Sequence, residues 1–256
     1  MGAQPAASSP RLMHVRRFGG GPAVVLVHGS VADGEATWAE QRALAERWTL
    51  VVPDRPGFGA NPPVDRVDFE SDAPLVAELL GDGAHLVGHS YGGVVSLLAA
   101  AARPEAVRSL TVVEPPAFGA ARGHPAVEAF VAEMTRYWRS PPDDPEEFLR
   151  GFLALVGSDY RPPSPLPPRL ERGAGLLRVE RPPWEAEIPL AELGRAAFPK
   201  LVVSGRHHAA FDAVCDVLEK RLGAERASIP GAGHSVQRTG RFNERLEQFL
   251  AGASGR

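Results

Sequence analysis

Short runs of buried-type residues, most of them stopped by glycine or proline, alternate with stretches of helical period along most of this chain. The runs at 23–27, 48–52, 84–87, 107–113, 201–203 and 227–229 are short and mostly apolar without a break, which is how strands covered on both faces read. Helical stretches at 37–47, 69–80, 91–102, 211–222 and 242–250 supply the cover. The alternation predicts an α/β protein with a mostly parallel sheet and helices on both faces.

The rhythm fails between residues 115 and 198. Val127, Phe130, Val131, Met134, Tyr137 and Trp138 share one helix face there, and Phe148, Leu149, Phe152, Leu153 and Val156 share another. Eight prolines between residues 160 and 189 restrict that part to short helices and turns. A helical insertion between two strands of the sheet is expected.

With 256 residues, 44% of them apolar and 23% charged, the chain is long enough for one sizeable core and unlike a disordered or fibrous sequence. A formal charge of −3 lacks the basic excess that binds a phosphate backbone, so no nucleic-acid partner is expected. The longest near-apolar run, 94–102, covers about half of the ~20 residues that cross a bilayer, so no membrane partner is expected either. Cys215 is the single cysteine, which excludes an intrachain disulfide and a multi-thiolate zinc site. Residues 1–10 carry neither a charged n-region nor an apolar h-region and read as a frayed tail, and a cytoplasmic protein is expected.

Gly88-His89-Ser90-Tyr91-Gly92 has the form G-x-S-x-G and joins the run 84–87 to the helix starting near Tyr91. A serine on such a turn is held in a strained backbone conformation, and the flanking glycines let the chains approach closely. The Tyr91 amide, first in the helix, points to the same place with the positive end of the helix dipole behind it. It forms half of an expected oxyanion hole. The other half is expected from Val27-His28-Gly29-Ser30, through the amide of Ser30 or, alternatively, Val31. A serine hydroxyl is a weak nucleophile without a base. His234, in the glycine-rich loop directly after the last run, is the expected base.

With these segments in place the chain resembles the α/β-hydrolase family over nearly its whole length after Leu12. The matches are His28-Gly29, Asp54-Arg55-Pro56-Gly57-Phe58-Gly59, Gly88 to Gly93 and Gly231 to His234. The resemblance implies an eight-stranded, mostly parallel sheet with a helical cap inserted after the sixth strand. It divides the chain into a hydrolase core of residues 1–114 and 199–256 and a cap of residues 115–198. The family's orienting acid usually follows the seventh strand in a Gly-x-x-Asp pattern, whereas this chain reads Ser204-Gly205-Arg206-His207-His208. Glu114, after the run 107–113, is the expected replacement, a placement that resembles some haloalkane dehalogenases. Asp212 and a Ser-His pair without an acid are the alternatives.

Other residues carry plainer expectations. His28 ties its loop together, His89 packs beside the serine, Asp54 and Arg55 brace a turn, and Cys215 fills core. The adjacent His207 and His208 lack supporting ligands at metal spacing, so no metal and no cofactor are expected. Of the insertion's aromatics, Trp138, Phe118 and Tyr137 are expected to bind substrate.

The reading is a serine hydrolase acting through an acyl-enzyme on a small or medium, largely apolar ester, thioester or lactone. The small-molecule substrate is the expected partner of a monomer or homodimer. The serine argues against dehalogenase or epoxide hydrolase chemistry, for which those relatives use a carboxylate. A carbon–carbon bond hydrolase with the same residues, and a slow or non-catalytic small-molecule receptor on the same fold, are the alternatives.

Overall fold

The computed structural model describes residues 13–254, so the tail expected at residues 1–10 lies outside the described residues. In chain order the elements begin with β1 (Val15–Phe18), β2 (Ala23–Val27), α1 (Gly34–Thr37), β3 (Thr49–Pro53), α2 (Phe69–Glu78), β4 (Ala84–His89), α3 (Tyr91–Ala102) and β5 (Val107–Val113). Then come α4 (Pro125–Arg139), α5 (Pro145–Leu155), α6 (Pro168–Arg178) and α7 (Leu190–Arg195). β6 (Lys200–Ser204), α8 (Ala209–Leu222), β7 (Glu225–Ser228) and α9 (Gly240–Ser254) complete the order.

The strands form one sheet in the order β1-β3-β2-β4-β5-β6-β7, parallel except for β1, which pairs antiparallel with β3. Among the described residues the sheet therefore has seven strands, not the eight the family resemblance implied, and the segment 114–199 follows its fifth strand. The leading edge is β1 alone, a four-residue strand of sequence VRRF. Its two arginines break the apolar run, and that is why it was not legible as a buried strand.

Side chains alternate across the sheet with period two. Val25, Val27, Leu86, Val112 and Val202 point into a large core with α2, α3 and α8. Val24, Leu26, Val87, Val113, Leu201 and Val203 point into a smaller core closed by Trp38, Trp48 and α9. Residues Ala39–Glu46, expected to continue one α-helix over 37–47, form a 3-10 helix instead. Its buried residues, Gln41 and Leu44, are three apart and so lie on one line of a 3-10 turn. Gln41 is further tied by its side-chain amide to Gln237 O at 2.7 Å and Asn243 Oδ1 at 2.6 Å.

Residues 114–199 hold no strand and four α-helices. Proline at the first position and the Asp144 carboxylate accepting from the Glu147 amide start α5. The segment has a core of its own, with Phe148, Leu149, Leu153, Ala174 and Leu177 around Val31. No helix among the described residues is long and apolar enough to cross a membrane.

Candidate active site

The turn between β4 and α3 presents Ser90 with φ 51° and ψ −127°, a backbone conformation that L-residues rarely adopt. Hydrogen bonds hold it there: the Ser90 amide donates to Val113 O at 2.9 Å, and the Gly93 amide donates to Ser90 O at 2.7 Å. The glycines at 88 and 92 are required by close approach. A Cβ on Gly88 would lie 2.4 Å from Gly92 O, and one on Gly92 would lie 2.4 Å from His28 O. The turn is thereby pressed against the end of β2, and the serine side chain faces the C-terminal edge of the sheet.

His234 arrives from the loop after β7, and its Nε2 lies 3.0 Å from Ser90 Oγ. His89 fixes that loop by donating from Nε2 to His234 O at 2.9 Å. Burial, with His207 and His208 nearby, pushes the His234 imidazole down to about 3, which keeps it a free base. Glu114 stands one residue past β5 with φ 49°, a second strained position beside the first. Its side chain is fully buried, and Oε1 accepts from the Gly205 amide at 2.6 Å. Oε2 is 3.5 Å from His234 Nδ1 and 3.4 Å from His207 Nδ1. Both distances exceed a formed hydrogen bond. Burial pushes the Glu114 carboxyl up to about 7.

Asp212, the alternative acid, is occupied elsewhere. Its Oδ1 accepts from Ser204 Oγ at 3.0 Å and lies 3.6 Å from the Arg226 guanidinium. His208, in the vacated aspartate position, caps α8 by accepting from the Ala210 amide at 3.2 Å. His28 closes its loop as expected: its Nδ1 donates to Gly29 O at 2.8 Å, and its Nε2 accepts from the Arg55 amide at 2.8 Å.

A cavity opens at Ser90, lined by Ser30, Tyr91, Phe118, Phe130, Met134, Trp138, Phe152, Phe211 and Glu180 among others. The space there is about 480 Å³, open to solvent, and its lining is mostly apolar and aromatic, so it is an apolar slot. A wider opening of about 780 Å³ reaches Ser90 and His234 from the other side, past Ser158, Tyr160, Gln237 and Arg238. Trp138 and Phe118 thus face the slot. Tyr137 is not among its lining residues. One position further back on α4, it stacks on Phe148 at 5.6 Å and donates to Phe148 O at 2.7 Å. Tyr91 begins α3, where an amide has no acceptor within the helix. Ser30 borders both openings.

Two groups were not legible as site residues. Arg55 is fully buried, donates to Asp72 Oδ2 at 2.9 Å and Gly29 O at 3.0 Å, and lies 3.4 Å from Glu180 Oε2. Glu180 in turn accepts from Ser30 Oγ at 2.5 Å, so a carboxylate from the helical segment grips the loop after β2. The sequence signal for Arg55 was only its place in a turn-rich hexapeptide, and a lone glutamate among prolines gave none for Glu180. His207 is the other omission: with Glu114 and His234 it forms a cluster able to hold a metal ion.

Residues 24–245 match the profile of the alpha/beta hydrolase family. Similar curated proteins include a pimeloyl-[acyl-carrier protein] methyl ester esterase of Aeromonas hydrophila, 30% identical over 92% of this chain and 98% of that one. Lipase LipV of Mycobacterium tuberculosis is 30% identical over 83% of this chain and 87% of its own. Among solved structures, a membrane phospholipase A described as a bacterial virulence factor superposes with a TM-score of 0.73 at 26% identity, covering 95% of this chain and 84% of that one.

Proposed function

The chain belongs to the alpha/beta hydrolase family as a carboxylic ester hydrolase-like enzyme, and on that premise we propose that it cleaves small or medium apolar acyl esters through an acyl-serine. The observation that carries this reading is the 3.0 Å approach of His234 Nε2 to Ser90 Oγ, with Glu114 on the other ring nitrogen. Ser90 attacks the acyl carbon while His234 takes its proton. The oxyanion is met by the Tyr91 and Ser30 amides. The tetrahedral intermediate collapses, His234 hands its proton to the departing alcohol, and water then repeats the sequence to release the acid. Glu114 holds the imidazole in the tautomer with its proton on Nδ1 and stabilises the imidazolium.

Residues 115–198 act as the cap, whose aromatics wall the slot in which the acyl chain lies. The two relatives above are named for a methyl ester esterase and a lipase, and we carry over the ester class alone. Fluorophosphonate labelling tests the reading: the probe attaches to the wild type, fails on Ser90→Ala and slows strongly on His234→Ala. A folded wild type that neither labels nor turns over aryl esters refutes it and returns the chain to the receptor alternative.

A further inference from the structure

We propose that Glu114, His207 and His234 form a transition-metal site of the zinc type, and that filling it switches hydrolysis off. Glu114, His207 and His234 each bring one ligand atom within 4.8 Å of the others, and Glu114 Oε2, His207 Nδ1 and His234 Nδ1 have no hydrogen-bond partner among the described residues. Glu114 is fully buried, and the two imidazole side chains are about nine-tenths buried, at 10% and 9% exposure. His207 Nδ1, bare because Nε2 donates to Val156 O, faces the Glu114 carboxylate oxygen at 3.4 Å, and two acceptors so placed are unfavourable unless a proton or a cation lies between them.

The geometry suits a small tetrahedral cation. Ligand bonds of about 2.0–2.1 Å in a tetrahedron set neighbouring ligand atoms about 3.3–3.4 Å apart. The carboxylate oxygen lies 3.4 Å from one imidazole nitrogen and 3.5 Å from the other. Two imidazoles and a carboxylate make a three-ligand zinc set that leaves a fourth vertex for water, whereas magnesium and calcium call for more oxygens than are present. The outer contacts already orient the ligands. His207 Nε2 donates to Val156 O at 3.0 Å, which leaves Nδ1 bare, and Gly205 holds the other Glu114 oxygen at 2.6 Å. Of the three residues, His234 also borders the wider opening, beside Ser158.

The consequence follows from the imidazole. A neutral ring coordinated through Nδ1 keeps its one proton on Nε2, the atom facing Ser90. It then only donates to the serine and cannot accept the hydroxyl proton. Inhibition therefore rests on the Ser90–His234 reading above, while metal binding does not.

The test uses the whole chain freed of metal by chelation, with Co²⁺ as spectroscopic probe and Zn²⁺ as competitor and inhibitor. One Co²⁺ per chain with an intense tetrahedral visible band is expected for the wild type and for Ser90→Ala, displaced by Zn²⁺. In His207→Ala and in Glu114→Gln, checked for folding by circular dichroism, affinity is expected to fall by about 100-fold or more. Micromolar Zn²⁺ should abolish wild-type aryl ester turnover, with recovery on adding EDTA. No Co²⁺ band, or a band that survives in both ligand variants, overturns the site. A band that depends on the ligands in a protein with no esterase activity leaves the site standing and removes the proposed function. A site that fills without slowing an active esterase keeps the binding claim and overturns the switch.

Discussion

At the position of the orienting acid, the chain departs from its family's usual pattern and the sequence still allowed a choice. A carboxylate directly after β5 lies at the C-terminal edge of a central strand, beside the loop that carries His234, whereas Asp212 is in the first turn of α8. Residue order therefore favoured Glu114, whose Oε2 is 3.5 Å from His234 Nδ1. What the sequence hid was which way neighbours turn. Tyr137 and Trp138 are adjacent in α4, and the 100° step between them puts only Trp138 on the slot. His207 read as half of an idle pair because its partners lie far away in sequence. Glu114→Gln should lower kcat by about 10⁴-fold, roughly 5.5 kcal/mol of barrier, as neutralising the acid does in a known triad. Asp212→Asn, whose parent carboxylate meets Ser204, the exposed Arg206 and the largely buried Arg226, should keep near-normal turnover. Steady-state kinetics of both variants decide it, and the reverse pattern moves the acid to Asp212.

Between elements, the sheet was legible because β2 to β6 are mostly apolar runs; β7, Glu-Arg-Ala-Ser, is not, and the other exceptions have local causes. β1 carries two arginines, and Ala39–Glu46 winds as 3-10 with its buried Gln41 tied by side-chain hydrogen bonds to Gln237 O and Asn243 Oδ1. The grip of the helical segment on the core was not legible, since it depends on Glu180 meeting Arg55 and Ser30 across long sequence separations. Burial pushes the Glu180 carboxyl from 4.5 up to about 7, against the opposing pull of Arg55 and the Ser30 hydroxyl, with Asp72 on α2 adding to the rise and Tyr91 on α3 facing it. The folded state therefore holds this proton more tightly than the unfolded chain. Its contribution to stability is complete below the unfolded value and is lost as pH rises through about 7. The difference is at most about 3 kcal/mol for this group. Glu180→Gln does not titrate, so the wild type should lose stability relative to it between pH 5 and pH 8 in urea unfolding. Parallel pH dependences in the two proteins would show that Glu180 keeps an ordinary carboxyl value.

The whole molecule joins a sheet edge, which carries Ser90, Glu114 and His234, to a segment whose aromatics wall the slot at Ser90. The first part is written in short motifs and could be read; the second is a matter of how α4, α5 and the turns before α7 pack over the edge, and periodicity shows only that they have apolar faces. Slot shape gives a prediction that does not depend on the amount of active enzyme. In a series of straight-chain p-nitrophenyl esters, each methylene that enters an apolar slot adds about 0.8 kcal/mol, or roughly fourfold in kcat/KM, until the slot is full. Trp138 lines the slot and packs edge-on against Phe148 and Phe152 at 5.6 and 5.8 Å. Trp138→Ala should lengthen the slot and move the preferred acyl chain upward, raising the ratio of long-chain to short-chain kcat/KM by about tenfold or more for a few added methylenes. Any loss of folded protein caused by the truncation lowers both terms equally and cancels from that ratio. An unchanged chain-length profile in a folded Trp138→Ala protein would mean that the acyl group lies in the wider opening beside Arg238, with the slot left to the alcohol.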